Sequence, residues 1–475
     1  GSNPVGKNST FQESKATKYP NDYPIISYDF LAPIGEWGQL RPSYRSFKTI
    51  HTFLQDFGDK LVQYYPSFPD KKPSGADDNS TLRMSVRSKD NEGFVFVSNY
   101  QRQLEMADIP GVQFDLKLKN GKSLKFPEMP ISVKKNVQAI FPFNMDLNGI
   151  TLNYATAQPF CRLAAKEPVY VFFAPAGITP EYSFDKALVS SHEVFDGELK
   201  TAGDKYIIRA TKPGTNCTIK LKLKNGKVTK ILTLSHQQIG DTWKANIWGA
   251  DRLLISNQDL IVSDNNVKVQ STGYPDMKFL VYPAVADLKI NAGKVNAAAE
   301  GVFSVYKISV PARELSIQIK EVIDIKEFSD RSLVLPLDER KVPMDPASPG
   351  PQYQTALTPV QGSRYFEIPV QADIMTGLNN VFLRLNYLGD TGSAYLNGSL
   401  IADDFYSGLP MTIGLKKFSS GAAGKKLLFQ IVPLSDERQI YFEPGVRDTL
   451  TGKRVAELKS YQVVPQYEVV VSSGK

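Results

Sequence analysis

Apolar residues at spacings of three and four form one long stripe in this chain. Tyr44, Phe47, Ile50, Phe53, Leu54, Phe57 and Leu61 predict a helix over 44–61, with Pro42 suited to its first turn. Gly58 lies inside the stripe and predicts that the helix weakens or ends early. The stretch "YYPSFPDKKPSGADDNS" that follows, rich in Pro, Asp and Ser, reads as a linker. Downstream the period becomes two almost everywhere. "TLRMSVRSKDNEGFVFVSNY" is two alternating runs about a polar turn at Asp90 to Gly93, and "FDLKLKNGKSLKF" is a hairpin on Asn120-Gly121. "LKLKNGKVTK" at 221–230 repeats that pattern, through shared hairpin chemistry rather than a true repeat; a two-residue Asn-Gly turn needs positive φ at both positions. Further strands are expected in "PVYVFFAP", "KYIIRAT", "VTKILTLS", "DRLLISN", "MKFLVYPA", "FSVYKISV", "VFLRLNYLG", "KKLLFQIVPL" and "SYQVVPQYEVVVSS". The body is therefore mainly β, a string of β-sandwich and jelly-roll domains.

At 475 residues the chain is too long for one core. Loosening composition divides it into 1–66, 67–187, 188–300 and 301–475, with a Pro- and Gly-rich seam or loop at "ERKVPMDPASPGPQYQTALTPVQG". The formal charge of +7 is modest, because 56 basic residues face 49 acidic ones, and many lysines alternate with apolar residues as on a solvated strand face. No compact Arg/Lys cluster with interleaved aromatics marks a nucleic-acid partner. No apolar run approaches the roughly 18 residues of a membrane span. Two cysteines and three histidines exclude a multi-cysteine zinc module and a dense disulfide framework. Cys161 and Cys217 are expected as buried thiols, with a single bridge as the alternative. No metal spacing, phosphate loop, dinucleotide turn or serine elbow is visible, so no cofactor is expected.

Ser27-Tyr28-Asp29-Phe30, then Ala32-Pro33-Ile34 and Glu36, then a helix ending in "FLQDFG", resemble the end of the catalytic barrel in glycoside hydrolase family 35, the β-galactosidases. Gly1-Ser2-Asn3 resembles the tail of the preceding Gly-Gly-Thr-Asn motif. "GFVFVSNYQRQ", "FPFNMDLNGITLNYATAQPF" and "VFLRLNYLGDTGSAYLNGSLIADDFYSGLP" are similar to the accessory β-domains of bacterial members. The resemblance implies that 1–66 is the last strand and helix of a (β/α)8 barrel plus linker, and that 301–475 is a jelly-roll, galactose-binding-like domain. It also implies a galactose-containing carbohydrate as partner, the missing barrel portion as another, and a periplasmic or secreted location. Orphaned from its barrel, the helix is expected to leave apolar surface uncovered or to be repositioned.

Retaining glycoside hydrolysis takes two carboxyls about 5 to 5.5 Å apart, one of them with a raised pKa. The family's two glutamates lie before the Gly-Gly-Thr-Asn motif, so no catalytic residue is expected here and the isolated chain is expected to be inactive. Glu92 in "DNEGF" superficially resembles the family's acid/base motif but belongs to a turn, where it should be solvated. Asp29 is expected to order its loop by accepting backbone N–H groups. Tyr28 has two readings, a sugar-facing tyrosine of the family's galactose pocket or a packed aromatic. Phe30 stands where the family often has a second tyrosine, and Asn3 is a candidate for orienting the pocket. In the last domain Tyr395, Asp404 and Tyr406 are candidate sugar contacts, and Trp243 is a candidate stacking platform. The alternative function is a non-catalytic carbohydrate-binding or cell-surface scaffold protein.

Overall fold

A computed structural model of the chain describes residues 26–27, 29, 31–102, 104–291, 294–325, 328, 357, 359–435 and 454–474. It is mainly β, with several sheets packed as sandwiches, as the period-two pattern predicts. The chain divides into two compact units. One is formed by Pro42–Val269, Asp276–Ser309 and Val469–Lys475, and the other by Gly1–Arg41, Gln270–Pro275 and Val310–Glu468.

The first unit carries the predicted helix, α1 (Pro42–Leu61). Pro42 occupies its first position, where a missing N–H costs nothing. Gly58 does not end it: its neighbourhood is open apart from the Leu54 side chain, and Phe57 and Leu61 on either side are buried. That burial outweighs the roughly 1 kcal/mol a mid-helix glycine loses to alanine. The strands of this unit are β1 (Tyr65–Ser67), β2 (Arg83–Lys89), β3 (Glu92–Ser98), β4 (Ile109–Lys117), β5 (Ser123–Val133), β6 (Gln138–Asp146), β7 (Thr151–Ala155), β8 (Gln158–Leu163), β9 (Val169–Phe173), β10 (Glu181–Asp185), β11 (Val189–Phe195), β12 (Glu198–Ala202), β13 (Lys205–Arg209), β14 (Thr218–Leu223) and β15 (Val228–Leu234). An eight-stranded sheet in the order β1-β2-β3-β6-β7-β10-β13-β12 packs on a five-stranded sheet β11-β14-β15-β9-β8. Their shared core holds Phe94, Leu152, Phe184 and Ile208 from one sheet, Phe172, Ile219, Leu221 and Ile231 from the other, and Phe53, Phe57 and Leu61 from α1. β9, before residue 187 in the chain, pairs in parallel with β15, after it.

The lysine alternation in β14 behaves as expected, with Ile219, Leu221 and Leu223 buried and the lysines between them on the wetter face. β6 is different, because the β4–β5 hairpin covers its second face with Phe114, Leu124 and Phe126. Ala139, Ile140, Phe141, Pro142 and Phe143 are consequently all buried. A further sheet of this unit joins Thr242–Ile247, Ala250–Ile255, Asp276–Tyr282, Phe303–Ser309 and Lys294–Glu300. Trp248 is not in that sheet but in a turn at φ 53°, donating Nε1–H to the Asn265 carbonyl.

The second unit is a sandwich. One sheet orders Lys320–Val322, Arg364–Pro369, Lys426–Val432, Thr391–Leu396 and Ser399–Phe405. Facing it, Asn380–Leu388 lies between Met411–Gly414 and residues 457–466 of the strand Glu457–Ser473. Phe366, Ile368, Leu383, Leu385, Phe429 and Ile431 fill the space between. Of the strand expected at 27–30, Tyr28 and Phe30 lie outside the described residues, and Ser27 and Asp29 carry no strand.

The Asn-Gly turns are of two kinds. At 120–121 only Gly121 has positive φ (79°), with Leu118 N–H bonded to the Lys122 carbonyl and Gly121 N–H to the Leu118 carbonyl. That is a three-residue loop with a glycine bulge, not the expected two-residue turn, and Leu223–Lys227 repeats it. At Asn397-Gly398 both residues are positive (50° and 78°) and Leu396 pairs directly with Ser399. Cys161 and Cys217 are buried and unbridged. No helix of the described residues is long and apolar enough to cross a membrane.

Candidate ligand-binding site

The C-terminal end of α1 opens onto a cavity of about 560 Å³ within the first unit. Lys60 lies in the last turn of α1, and Gln63 and Tyr64 follow it into β1. The β2–β3 hairpin supplies Lys89, Asp90, Asn91 and Glu92, while β6 and β7 contribute Asn144 and Thr151. Gly93 permits this closeness: a Cβ there would lie 2.7 Å from Phe143 Cζ and 2.8 Å from Ser88 Cβ.

Glu92 is the anchored carboxylate of the site. The Tyr64 hydroxyl donates to its Oε1 at 2.6 Å, and the Lys60 ammonium reaches its two oxygens at 3.3 and 3.1 Å. Burial, and next the bond to Glu92, push the Tyr64 phenol upward, so it remains a donor at any ordinary pH. Lys89 donates to Gln63 Oε1 at 3.0 Å, and Asn144 Nδ2 donates to the Asn91 carbonyl at 2.7 Å. Asp90 pairs with Lys119 at 2.7 Å, and the Lys119 hydrogen bond holds its carboxyl below the usual range. The expected turn at Asp90 to Gly93 is present, but Glu92 is not the solvated side chain the sequence suggested: it opens β3 and is held from α1 and its exit.

Two lysines and two carboxylates line the cavity, so its formal charge cancels. Amide, hydroxyl, ammonium and carboxylate groups offer donors and acceptors at fixed positions, a composition that suits a neutral hydroxylated molecule better than a multiply charged one. Among the described residues no group of three or more His, Cys, Asp or Glu could hold a metal ion. His51 stacks on Phe47, and His192 on Tyr206.

The predicted site residues fall elsewhere. Asn3, Tyr28 and Phe30 lie outside the described residues. Tyr395 is 6% exposed, packs with Leu400 and Leu428, and donates its hydroxyl to Gln430 Oε1 at 3.2 Å, so its ring offers no open sugar-facing surface. Trp243 is 7% exposed and already occupied, with Lys48 Nζ 3.2 Å above its ring and Arg45 at 5.4 Å. The ring is thus covered by the protein's own Lys48 and Arg45 side chains. Tyr406 packs on Tyr387, ring centres 5.7 Å apart. Asp404, in Ser399–Phe405, is pushed up to about 7 by burial and then by the adjacent Asp403 and by Asp29, with Arg41 opposing. Asp29 itself accepts N–H groups from Ala32 at 3.2 Å and Glu36 at 2.7 Å and pairs with both terminal nitrogens of Arg41, one of them at 2.8 Å. This is the loop-ordering role its position suggested. Lys60, Gln63, Tyr64 and Asn144 are not among the site residues the sequence suggests; the polar "DNEG" turn followed by a strand is the sequence signal nearest to them.

No family model and no curated protein matches the chain. Among solved structures, the GH31 α-xylosidase of Xanthomonas citri aligns with 86% of this chain at 10% identity. The chain spans 38% of that enzyme's length, and the TM-score is 0.11, a likeness that carries no argument about fold or chemistry.

Proposed function

We propose that the chain is a non-catalytic carbohydrate-binding accessory region of a glycoside hydrolase of the β-galactosidase type, and that it takes galactose-containing carbohydrate in the cavity around Glu92. The observation that carries this reading is the charge balance of the cavity together with its mixed donors and acceptors. A carboxylate already held by Tyr64 and Lys60 keeps acceptor capacity for sugar hydroxyls, while Lys89, Gln63 and Asn144 add further polar groups. The motifs at 27–36 and in the later β-segments support the β-galactosidase type.

Two carboxyl constellations superficially resemble a hydrolytic pair. In the cavity, Asp90 is paired with Lys119 and held below the usual range, which does not suit a proton donor. In the second unit Asp404 has the raised pKa of an acid and Asp29 the lowered one of a base. The oxygens of Asp29, however, are engaged by Arg41 and two backbone amides, and those of Asp403 accept from Ile26 and Ser27 N–H. These carboxylates serve the fold.

The purified chain is expected to release no aryl group from an aryl β-galactoside above the buffer rate. Turnover that Glu92→Gln or Asp404→Asn abolishes would overturn the non-catalytic reading. By titration calorimetry with galacto-oligosaccharides, Glu92→Gln is expected to weaken binding by roughly 10-fold or more, the effect of losing one hydrogen bond to a charged group. Failure of the intact chain to bind any such glycan, or binding unaffected by Glu92→Gln, removes the cavity from the proposal.

A further inference from the structure

Lys294–Glu300 is the last strand of the further sheet in the first unit. It pairs on one side with Phe303–Ser309, and among the described residues no strand lies on its other side. Residues 295–299 are all exposed, so neither face of the strand is covered. The outer strands of the two sheets that share the core around Phe53 are guarded against pairing. β1 is three residues long with Pro66 at its centre, β12 carries Glu198 and Lys200, and β11 and β8 are broken by bulges. Thr242–Ile247, at the opposite edge of the same sheet as Lys294–Glu300, has Lys244 inside it. Lys294–Glu300 has none of these devices. Its pairing runs unshifted over seven residues, and Val295-Asn296-Ala297-Ala298-Ala299 holds neither charge nor proline.

The hairpin fixes which backbone groups are free. Glu300 pairs with Phe303 across the two-residue turn Gly301-Val302, with Gly301 at φ 60° as such a turn takes at its first position. The pair that closes a two-residue turn exchanges both its hydrogen bonds, and antiparallel pairs alternate from there. Glu300, Ala298, Asn296 and Lys294 therefore bond through their backbones to Phe303–Ser309. Val295, Ala297 and Ala299 aim their N–H and C=O groups outward. The turn itself is held in place: Val302 N–H donates to the Thr215 carbonyl at 3.0 Å, and a Cβ on Gly301 would lie 2.3 Å from that oxygen.

We propose that this edge is an interface between two copies of the chain, each laying its own Lys294–Glu300 antiparallel on the other's about a two-fold axis at Ala297. A strand is its own complement when the axis passes through a residue whose backbone groups face outward, and Ala297 is the middle one of the three. Ala297 then faces the partner's Ala297, and Val295 faces the partner's Ala299. Every outward N–H and C=O of both strands is satisfied in this register, with two bonds at each pair. By sequence the strand runs from a lysine to a glutamate, so the antiparallel register sets residues of unlike charge opposite each other at both ends. A parallel register would set like beside like. Glu300 also accepts from the Lys278 ammonium at 2.6 Å, which steadies the acidic end. The joint rests on backbone bonds and small side chains with little apolar area, so the dimer is a reversible, concentration-dependent one.

In sedimentation velocity the full chain is expected to show a dimer whose share rises with protein concentration. Ala297→Pro removes the N–H at the axis and leaves the ladder to Phe303–Ser309 intact, since an edge proline with its nitrogen outward is tolerated. It should weaken self-association by about 10-fold or more while the urea midpoint stays that of the parent. Ala297→Lys sets two ammonium groups opposite each other and should weaken it likewise, with partial recovery in salt. Single cysteines read the register. Mild oxidation should cross-link Ala297→Cys between copies but not Val295→Cys, whose two sulfurs would stand about 13 Å apart along the strands. The native Cys161 and Cys217 are buried and do not compete. A chain that stays monomeric at every concentration overturns the proposal. So does a dimer that either Ala297→Pro or Ala297→Lys leaves at full strength, or a cross-link that forms as readily from position 295 as from 297. Open-ended polymers in place of a dimer overturn it too, because a two-fold axis closes the contact.

Discussion

Arg209→Leu is expected to destabilise the first unit by about 3–5 kcal/mol, the usual cost of leaving a buried ion without its partner. Glu181 on β10 is 3% exposed, and its Oε2 accepts both Nε and Nη2 of Arg209 at 3.0 Å. Its Oε1 is taken by the Tyr154 hydroxyl at 2.8 Å and the Glu128 N–H at 2.6 Å, so within the protein only the guanidinium serves Oε2 among the described hydrogen bonds. The two residues face each other across the β10–β13 ladder, Glu181 opposite Arg209, so the pair also pins the register of those strands. Surface pairs such as Lys119 with Asp90 are expected to matter far less, about 1 kcal/mol or below. The measurement is urea unfolding followed through Trp243 and Trp248, which report on this unit, with a Trp37→Phe background to silence the other. A Glu181→Gln/Arg209→Leu double variant should recover most of the loss, since no charge is then buried. If the double variant is as unstable as the single one, the interaction is packing and not charge.

The parts of this fold that the sequence announces are those with one wet face. β14 alternates Ile-Lys-Leu-Lys-Leu because water lies on one side of it, which makes it legible, although Asn266–Thr272 alternates in the same way and is not among the expected strands. β6 carries no alternation, since both its faces are covered, and nothing in "AIFPF" distinguishes a doubly buried strand from any apolar run. The Asn-Gly turns show a second limit: the same dipeptide closes a two-residue turn at 397–398 and a bulged three-residue turn at 120–121. The flanking register decides between them, and register is a pairing of two strands rather than a property of either. The cavity is least visible of all. Its key bond joins Tyr64 to Glu92, 28 residues apart, and Asn144 comes from a third element. Asp29 was readable because its partners lie within 12 positions along the chain.

Phe53→Ala is expected to cost about 3–5 kcal/mol in the same unfolding assay, the range for removing a large aromatic from a closed core. This prediction bears on what α1 is. A helix orphaned from a barrel should leave its apolar stripe uncovered, and mutations along it should then be nearly neutral or even improve solubility. Instead Phe53 is 0% exposed, meets Phe57 at 5.3 Å and Phe94 edge-on at 5.6 Å, and belongs to the core shared by two sheets. Polar contacts fix the same face: Asp56 takes the Arg162 N–H at 2.6 Å and the Lys244 ammonium at 2.7 Å. The opposite flank remains open, with Phe47 at 52% and Leu54 at 43% exposure. Phe47→Ala and Leu54→Ala should therefore stay within about 0.5 kcal/mol of the parent, as surface changes usually do. The contrast between two positions six apart on one helix is the test: equal, small effects at Phe47 and Phe53 would mean that α1 is only loosely held, whereas a large loss at Phe53 alone makes it an integral wall of the first unit and of the cavity at its end.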